Sequence, residues 1–268
     1  MKKYIDFFNR YTANYMSIAK SNFQKIHINR KIEHSKRVNK NAVEIAKDLK
    51  LDTHELYLIN IASLLHDIAR FKQFYEYNTF IDKISFDHGQ EGLRILEEER
   101  ILEDLTENDK QIILEIVKLH NYTTLPDGLP EKLRLFASII RDADKLDWMY
   151  AIVNIIPKLS KENQAIFYSN KLETDEISSK LVESVLGSKR IFKADLETVG
   201  ELKLWTIIAI ISEYECSSSL KIIKRNDLIN QVYNMIKFSE EKETIYNYVI
   251  NKIENEKHFT YWVKGSDK

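Results

Sequence analysis

Only six glycines and three prolines interrupt 268 residues, where ordinary usage is about 7% and 5%. Sheets need frequent tight turns built from such residues, so a chain this poor in them is left with long helices and short connections. The apolar positions agree. They recur at three- and four-residue spacing, and no stretch sustains the period of two that marks a half-buried strand. The expected fold class is all-α, and with 44% apolar residues the chain can bury a sizeable core.

Helical spacing predicts one helix from Tyr4 to about Ser21 and another over residues 33–50, the latter through Val38, Ala42, Ile45 and Leu49. Asp52-Thr53-His54-Glu55 has the form of a capping box, opening a helix that runs to about Phe71. That helix is apolar nearly all round, as a central, buried helix is. Residues 72–88 read as irregular, with Asn78, Asp82 and Asp87 as turn formers. Further helices are expected over Gly89–Leu102, Asp109–His120 and Leu133 to about Ile156, with a loop at Asn121–Pro130 and a stop at Pro157. Beyond it, helix signals cover Glu201–Tyr214, Asp227–Phe238 and Glu240–Glu256. No repeat or linker divides the sequence, so a single all-helical domain over residues 1–268 is expected.

Forty basic and forty-one acidic residues nearly cancel, which gives no global electrostatic footprint for a nucleic-acid polymer or a membrane surface. The one cysteine, Cys216, excludes an intrachain disulfide and a cysteine-rich zinc site. The first residues lack the apolar core of a secretory signal. The longest apolar run, Leu204–Ile211, falls far short of the roughly 20 residues that cross a bilayer, and a cytoplasmic location is expected. No phosphate-binding Gly-rich loop, Gly-x-Ser-x-Gly elbow or Cys-x-x-Cys pair occurs.

Against this background a few polar residues stand where they are expensive. Leu64-Leu65-His66-Asp67-Ile68-Ala69 places an ionisable pair in the most apolar helix, at a cost on the order of several kcal/mol per unpaired charge. A divalent cation would compensate both side chains. So would ordinary neighbours, which is the plainer reading of the dipeptide alone. Arg141, Asp142, Asp144, Lys145 and Asp147 interrupt a second core helix. Asp142 and Asp144 lie about 200° apart around it, so only one of them faces a common site. Asp144 shares its side with Ile140 and Trp148, whereas Asp142 and Asp147 read as a solvated face, or as outer partners that steer a ligand imidazole. His34, placed at the start of its helix, reads by itself as a surface or capping residue.

The order of these residues changes the reading. His34, then His66-Asp67, then Asp144 resembles the signature of the HD superfamily of metal-dependent phosphohydrolases. The resemblance extends through His34-Ser35-Lys36-Arg37-Val38, Leu64 to Phe71, and Ile140 to Asp147. It covers about residues 30–150, an HD-domain helical bundle with additional N- and C-terminal helices, the C-terminal extension running over about 158–268. Uncharacterised bacterial hydrolases of the superfamily are similar in Arg70-Phe71, Tyr77-Asn78-Thr79-Phe80 and Phe86-Asp87-His88-Gly89. The cyclic-dinucleotide branch carries a His-His pair and a Gly-Tyr-Pro motif where this chain has His120-Asn121 and Asp127-Gly128-Leu129-Pro130.

The resemblance implies a divalent metal held by His34, His66, Asp67 and Asp144. Two-metal members add histidines that map to His88 and His120, which otherwise contact substrate phosphate or simply end their helices. Such donors suit Mn, Fe, Co, Ni or Zn better than Ca, and suit Mg if waters or phosphate complete its shell. A cation there polarises a phosphoryl group and activates water. Asp67 would orient that water, Arg70 would reach a phosphate oxygen with its fork, and Lys145 would neutralise developing charge; both bases fit a salt bridge as well. His27, His54 and His258 read as surface residues, and Trp205, Ile208 and Ser212 as core. The expected function is hydrolysis of a phosphate ester on a small molecule, a nucleotide being the favoured case. Its rivals are a non-catalytic metal- or nucleotide-binding regulatory protein and a purely structural bundle. Substrate, native metal, number of ions and oligomeric state stay open.

Overall fold

A computed structural model describes residues 1–168, 171–255 and 259–261. Among them are helices and two isolated β-bridges, Leu172 with Thr198 and Cys216 with Tyr261, and no strand. The protein is all-α. It divides into two compact units, one built from Met1–Asp144 and the other beginning at Lys145.

The first unit starts with α1 (Lys2–Ile18) and α2 (Asn22–Asp48). Ser21 Oγ caps α2 by accepting the Gln24 amide at 3.1 Å, so this helix begins well before the residue 33 expected from spacing. His34 therefore lies inside a helix rather than at its start. Residues 22–33 bury only Gln24, His27 and Ile28, a line too thin and too polar for hydrophobic periodicity to register. The capping box that opens α3 (Thr53–Leu65) is formed in both directions: Asp52 Oδ1 accepts the Glu55 amide at 2.8 Å, and Glu55 Oε2 accepts the Asp52 amide at 3.1 Å.

α3 is followed by α4 (Ala69–Tyr77), α5 (His88–Glu98), α6 (Glu107–Leu119) and α7 (Glu131–Asn154). α3 buries Leu58, Ile59, Ile61, Ala62, Leu64 and Leu65, because α1, α2 and α6 all pack on it. Its all-round apolar sequence reflects that central position. The loop after α6 is pinned where Leu125, Tyr122 and Leu129 pack on Leu119 and Ala137. α5 lies against α6, and glycine permits the approach. A Cβ built on Gly89 would stand 2.7 Å from the Lys118 carbonyl oxygen, and one on Gly92 would stand 3.0 Å from Val117 Cγ1.

The second unit contains α8 (Lys161–Tyr168), α9 (Ser179–Leu186), α10 (Val199–Ser212), α11 (Ser217–Arg225), α12 (Leu228–Asn234) and α13 (Glu240–Asn255). α10 is its core helix and packs on α12 and α13. Trp205 and Ile208 are buried in it, as expected, whereas Ser212 at its end is exposed rather than core; Trp205 Nε1 donates to the Ile191 carbonyl at 3.3 Å. No helix among the described residues is long and apolar enough to cross a membrane.

Candidate metal centre

The helix that spacing carries unbroken to Phe71 stops at Leu65, and α4 begins at Ala69. The ionisable pair is the reason. In a continuous helix the Ser63 carbonyl would serve the Asp67 amide alone; here His66 Nδ1 donates to it at 2.8 Å. The chain crosses the joint on shorter-range bonds, Ile68 N to Leu65 O at 3.1 Å and Arg70 N to Asp67 O at 2.9 Å. His66 and Asp67 thus sit at a break between two helices, 0% and 2% exposed respectively.

Two more histidines are prepared in the same manner. His120 caps the C-terminus of α6, its Nδ1 donating to the Val117 carbonyl at 2.6 Å. His88 opens α5, its Nδ1 donating to Asp82 Oδ2 at 2.5 Å. An imidazole whose Nδ1–H is committed to an oxygen leaves the Nε2 lone pair free, which is how metal-binding histidines are commonly oriented. His66 Nε2 is buried without a hydrogen-bond partner. His88 Nε2 faces His120 Nε2 at 3.1 Å, bringing together two lone pairs that need a cation or a shared proton between them.

Asp67 stands at the middle. Its Oδ2 lies 3.2 Å from His34 Nε2 and 3.3 Å from His66 Nε2, while its Oδ1 lies 3.4 Å from His120 Nε2 and 3.6 Å from His88 Nε2. Asp144 Oδ1 is 3.2 Å from His34 Nε2. Ligands about 2.0–2.2 Å from one ion at tetrahedral or octahedral angles stand roughly 3 to 3.5 Å from each other, so these spacings suit shared coordination. Ligand atoms of His34, His66 and Asp144 lie within 4.8 Å of one another, as do those of His66, Asp67 and His120. The donor set, its orphaned nitrogen and its spacing all fit a divalent cation.

The electrostatics point the same way. Burial lowers the His66 pKa more than neighbouring Asp67 raises it, so the imidazole stays neutral at physiological pH. Burial, with Arg70 adding to it, pushes His88 down to about 3. Burial alone would raise the Asp67 carboxyl; the Lys31 ammonium, then His66, His120 and His34, outweigh it and hold the group well below the usual carboxylate range. Burial alone would raise the Asp144 carboxyl too; His34 and then His66 together outweigh it and hold the group low. Neutral imidazoles and ionised carboxylates are the protonation states in which these side chains bind metal.

All six residues singled out as metal ligands, His34, His66, Asp67, His88, His120 and Asp144, are brought to one place. Arg70 is near but occupied: its Nε is 3.5 Å from Asp67 Oδ1, and one terminal nitrogen donates to Gln73 Oε1, the Phe80 carbonyl and Asp82 Oδ1 at 2.6, 2.7 and 2.8 Å. Lys145 Nζ donates to the Glu213 carbonyl at 2.9 Å within the second unit and lies over the Tyr214 ring. Asp142 and Asp147 are 0% and 1% exposed, which corrects the solvated face read for them. The flanking Arg141 suggested solvent, yet its guanidinium turns inward to the carbonyls of Tyr122 and Thr123 behind α6. His27 is also buried, its ring between Phe23 and Phe74, rather than at the surface. His54 is half-exposed and pairs with Asp109 at 3.0 Å; His258 lies outside the described residues.

Two neighbours of the cluster escape a sequence reading. Asp82, read as a turn former, accepts from His88, Arg70 and Gln73. Lys31 forms an ion pair with Asp67 Oδ2. Its place one turn before His34 on α2 was the available signal, hidden because the helix seemed to begin later.

Residues 32–149 match the family model described as HD domain. No curated protein and no solved structure matches the chain. HD domains bind divalent metals and constitute a superfamily of metal-dependent phosphohydrolases, and the match spans all six clustered residues, His34, His66, Asp67, His88, His120 and Asp144. The chain thus carries an HD domain over residues 32–149.

Proposed function

We propose that the protein hydrolyses a phosphate ester on a small molecule, a nucleotide being the favoured case. In this reading His34, His66, Asp67 and Asp144 hold one divalent cation, and Asp67, His88 and His120 hold a second. The observation that carries it is the division of Asp67: each carboxylate oxygen stands at ligand spacing from a different pair of imidazole nitrogens. Bound cations would supply Lewis acidity toward the phosphoryl group and toward the attacking water. The mixed nitrogen and oxygen donors favour Mn, Fe, Co, Ni or Zn, with Mg as a weaker candidate.

The protein's own groups have separate tasks. The carbonyls of Ser63 and Val117 and the Asp82 carboxylate fix three imidazoles with Nε2 free. Asp67, ionised and buried, holds the two sets together and offers an acceptor that orients water. Arg70 is a positioning residue, because its guanidinium ties the Phe80–Asp82 segment to α4. Lys145 has no part in this reading, since its amine is engaged with Glu213.

The test is metal analysis of the purified protein, followed by assay of phosphomonoesters and phosphodiesters, nucleoside monophosphates among them, with Mn, Co, Ni and Mg. The expected result is turnover that a chelator abolishes and one of these ions restores. Metal bound with no turnover across the panel would replace this reading with the regulatory one. A protein that takes up no metal would return it to a structural bundle.

A further inference from the structure

Two cations flank Asp67, and their surroundings differ. Arg70 would keep three acceptors on its terminal nitrogen if Asp67 were withdrawn from it. Lys31 would not. Among the described residues its Nζ has Asp67 as ion-pair partner and otherwise lies 5.8 Å from the centre of the Phe80 ring. Its side chain is 18% exposed, so it is neither solvated nor locked into the core. The oxygen that it takes, Asp67 Oδ2, is the one facing His34 and His66, and Lys31 comes from the same helix as His34, one turn earlier.

We propose that Lys31 is an exchangeable cation: it neutralises Asp67 until a divalent ion takes that oxygen, and is then released to bind the substrate's phosphate. The inference rests on the metal reading above and adds a residue and a sequence of events to it. An ammonium and a divalent ion cannot both hold one carboxylate oxygen at full strength, since each is drawn by the same negative charge and repelled by the other. Once displaced, the ammonium has lost the one ion pair it forms among the described residues, and a phosphate dianion is a partner that suits its charge. Its four-carbon stem allows the short movement.

The prediction concerns binding, so no turnover is needed to test it. Titration calorimetry with Mn alone, and with inorganic phosphate on the Mn-loaded protein, compares the wild type with Lys31→Met and Lys31→Arg, each first checked for a cooperative melt. Lys31→Met should bind Mn about tenfold more tightly, having lost the competitor, and phosphate about tenfold more weakly. Lys31→Arg should stay near wild type in both. If Lys31→Met binds Mn no more tightly than wild type, or phosphate equally well, the exchange is refuted while the metal centre stands. If wild type itself binds no Mn, the metal reading has failed and the exchange falls with it.

Discussion

Replacing Gly89 by alanine tests how the helix contact builds the site. The added Cβ would stand 2.7 Å from the Lys118 carbonyl oxygen and 2.8 Å from Asn121 Oδ1, where ordinary contact starts near 3.4 Å. The first turn of α5 must then withdraw from α6 by about 0.7 Å, because a helix backbone carbonyl cannot rotate aside. Overpacking of this kind costs about 1–3 kcal/mol. Better helix propensity returns at most ~1 kcal/mol, and less in a first turn, so a net loss of about 1–2 kcal/mol is expected. The chemistry should suffer more than the fold. His88 is the adjacent residue, and its Nε2 faces His120 Nε2 at 3.1 Å, a spacing that a shift of this size takes outside the range of shared coordination.

Denaturant unfolding of the chelator-treated protein would read the stability, and Mn titration calorimetry the site. The Gly89→Ala variant should lose the weaker of two Mn sites, or bind it at least about tenfold less well, and keep the other. Gly92→Ala is the control. Its Cβ would meet the Val117 Cγ1 methyl at 3.0 Å, and a side chain can give way, so a loss below about 1 kcal/mol is expected. The reasoning is refuted if Gly89→Ala unfolds like wild type with both Mn affinities intact.

Four further outcomes are expected. His34→Ala and Asp144→Ala should each abolish the rise in melting temperature that Mn gives the wild type, and a rise of unchanged size in either would remove that residue from the ligand set. Asp82→Asn should weaken the second Mn site about 10- to 100-fold by loosening the His88 ring, with the first site unchanged in the same titration. In metal-free protein, His88 resists protonation down to about pH 3, whereas an unfolded-chain histidine takes its proton near pH 6.5. The unfolded state therefore binds more protons between these values, and stability should fall as pH drops through that window by about 1.4 kcal/mol per unit for this group. His88→Gln should flatten that slope in urea melts at pH 7 and pH 4; an unaltered slope would contradict the assignment. Asp52→Ala should cost about 1 kcal/mol through the lost capping box and leave Mn affinity untouched, whereas a loss of affinity would show that the α3 frame and the site are coupled.

Residues differed in how plainly the sequence declared them, and the difference has a physical pattern. Side chains that break a hydrophobic stripe announce themselves, because water-loving groups amid Leu64, Leu65 and Ile68 have to be compensated somehow; hence His66, Asp67 and Asp144 stood out, and the resemblance then made them candidate ligands. The capping box at Asp52 was legible for a related reason, since both of its hydrogen bonds are local in the chain. What stayed hidden is what depends on partners far away along the chain. Asp142 and Asp147 have the composition of a solvated face, yet α7 buries them, and the neighbouring Arg141 turns inward to donate to the Tyr122 and Thr123 carbonyls. Asp82 looked like a turn former until α5 placed His88 against it. Lys31 carries one mark, its place a turn before His34, which the late helix start hid; its meaning arises only when α2 and the α3–α4 joint bring its ammonium onto Asp67. Local rules marked polar groups that are costly to place, the resemblance made them candidate ligands, and only the assembled fold reveals the groups that supply charge and orientation around them. The binding comparison of Lys31→Met with wild type therefore bears on the part of the site that a sequence motif leaves unspecified.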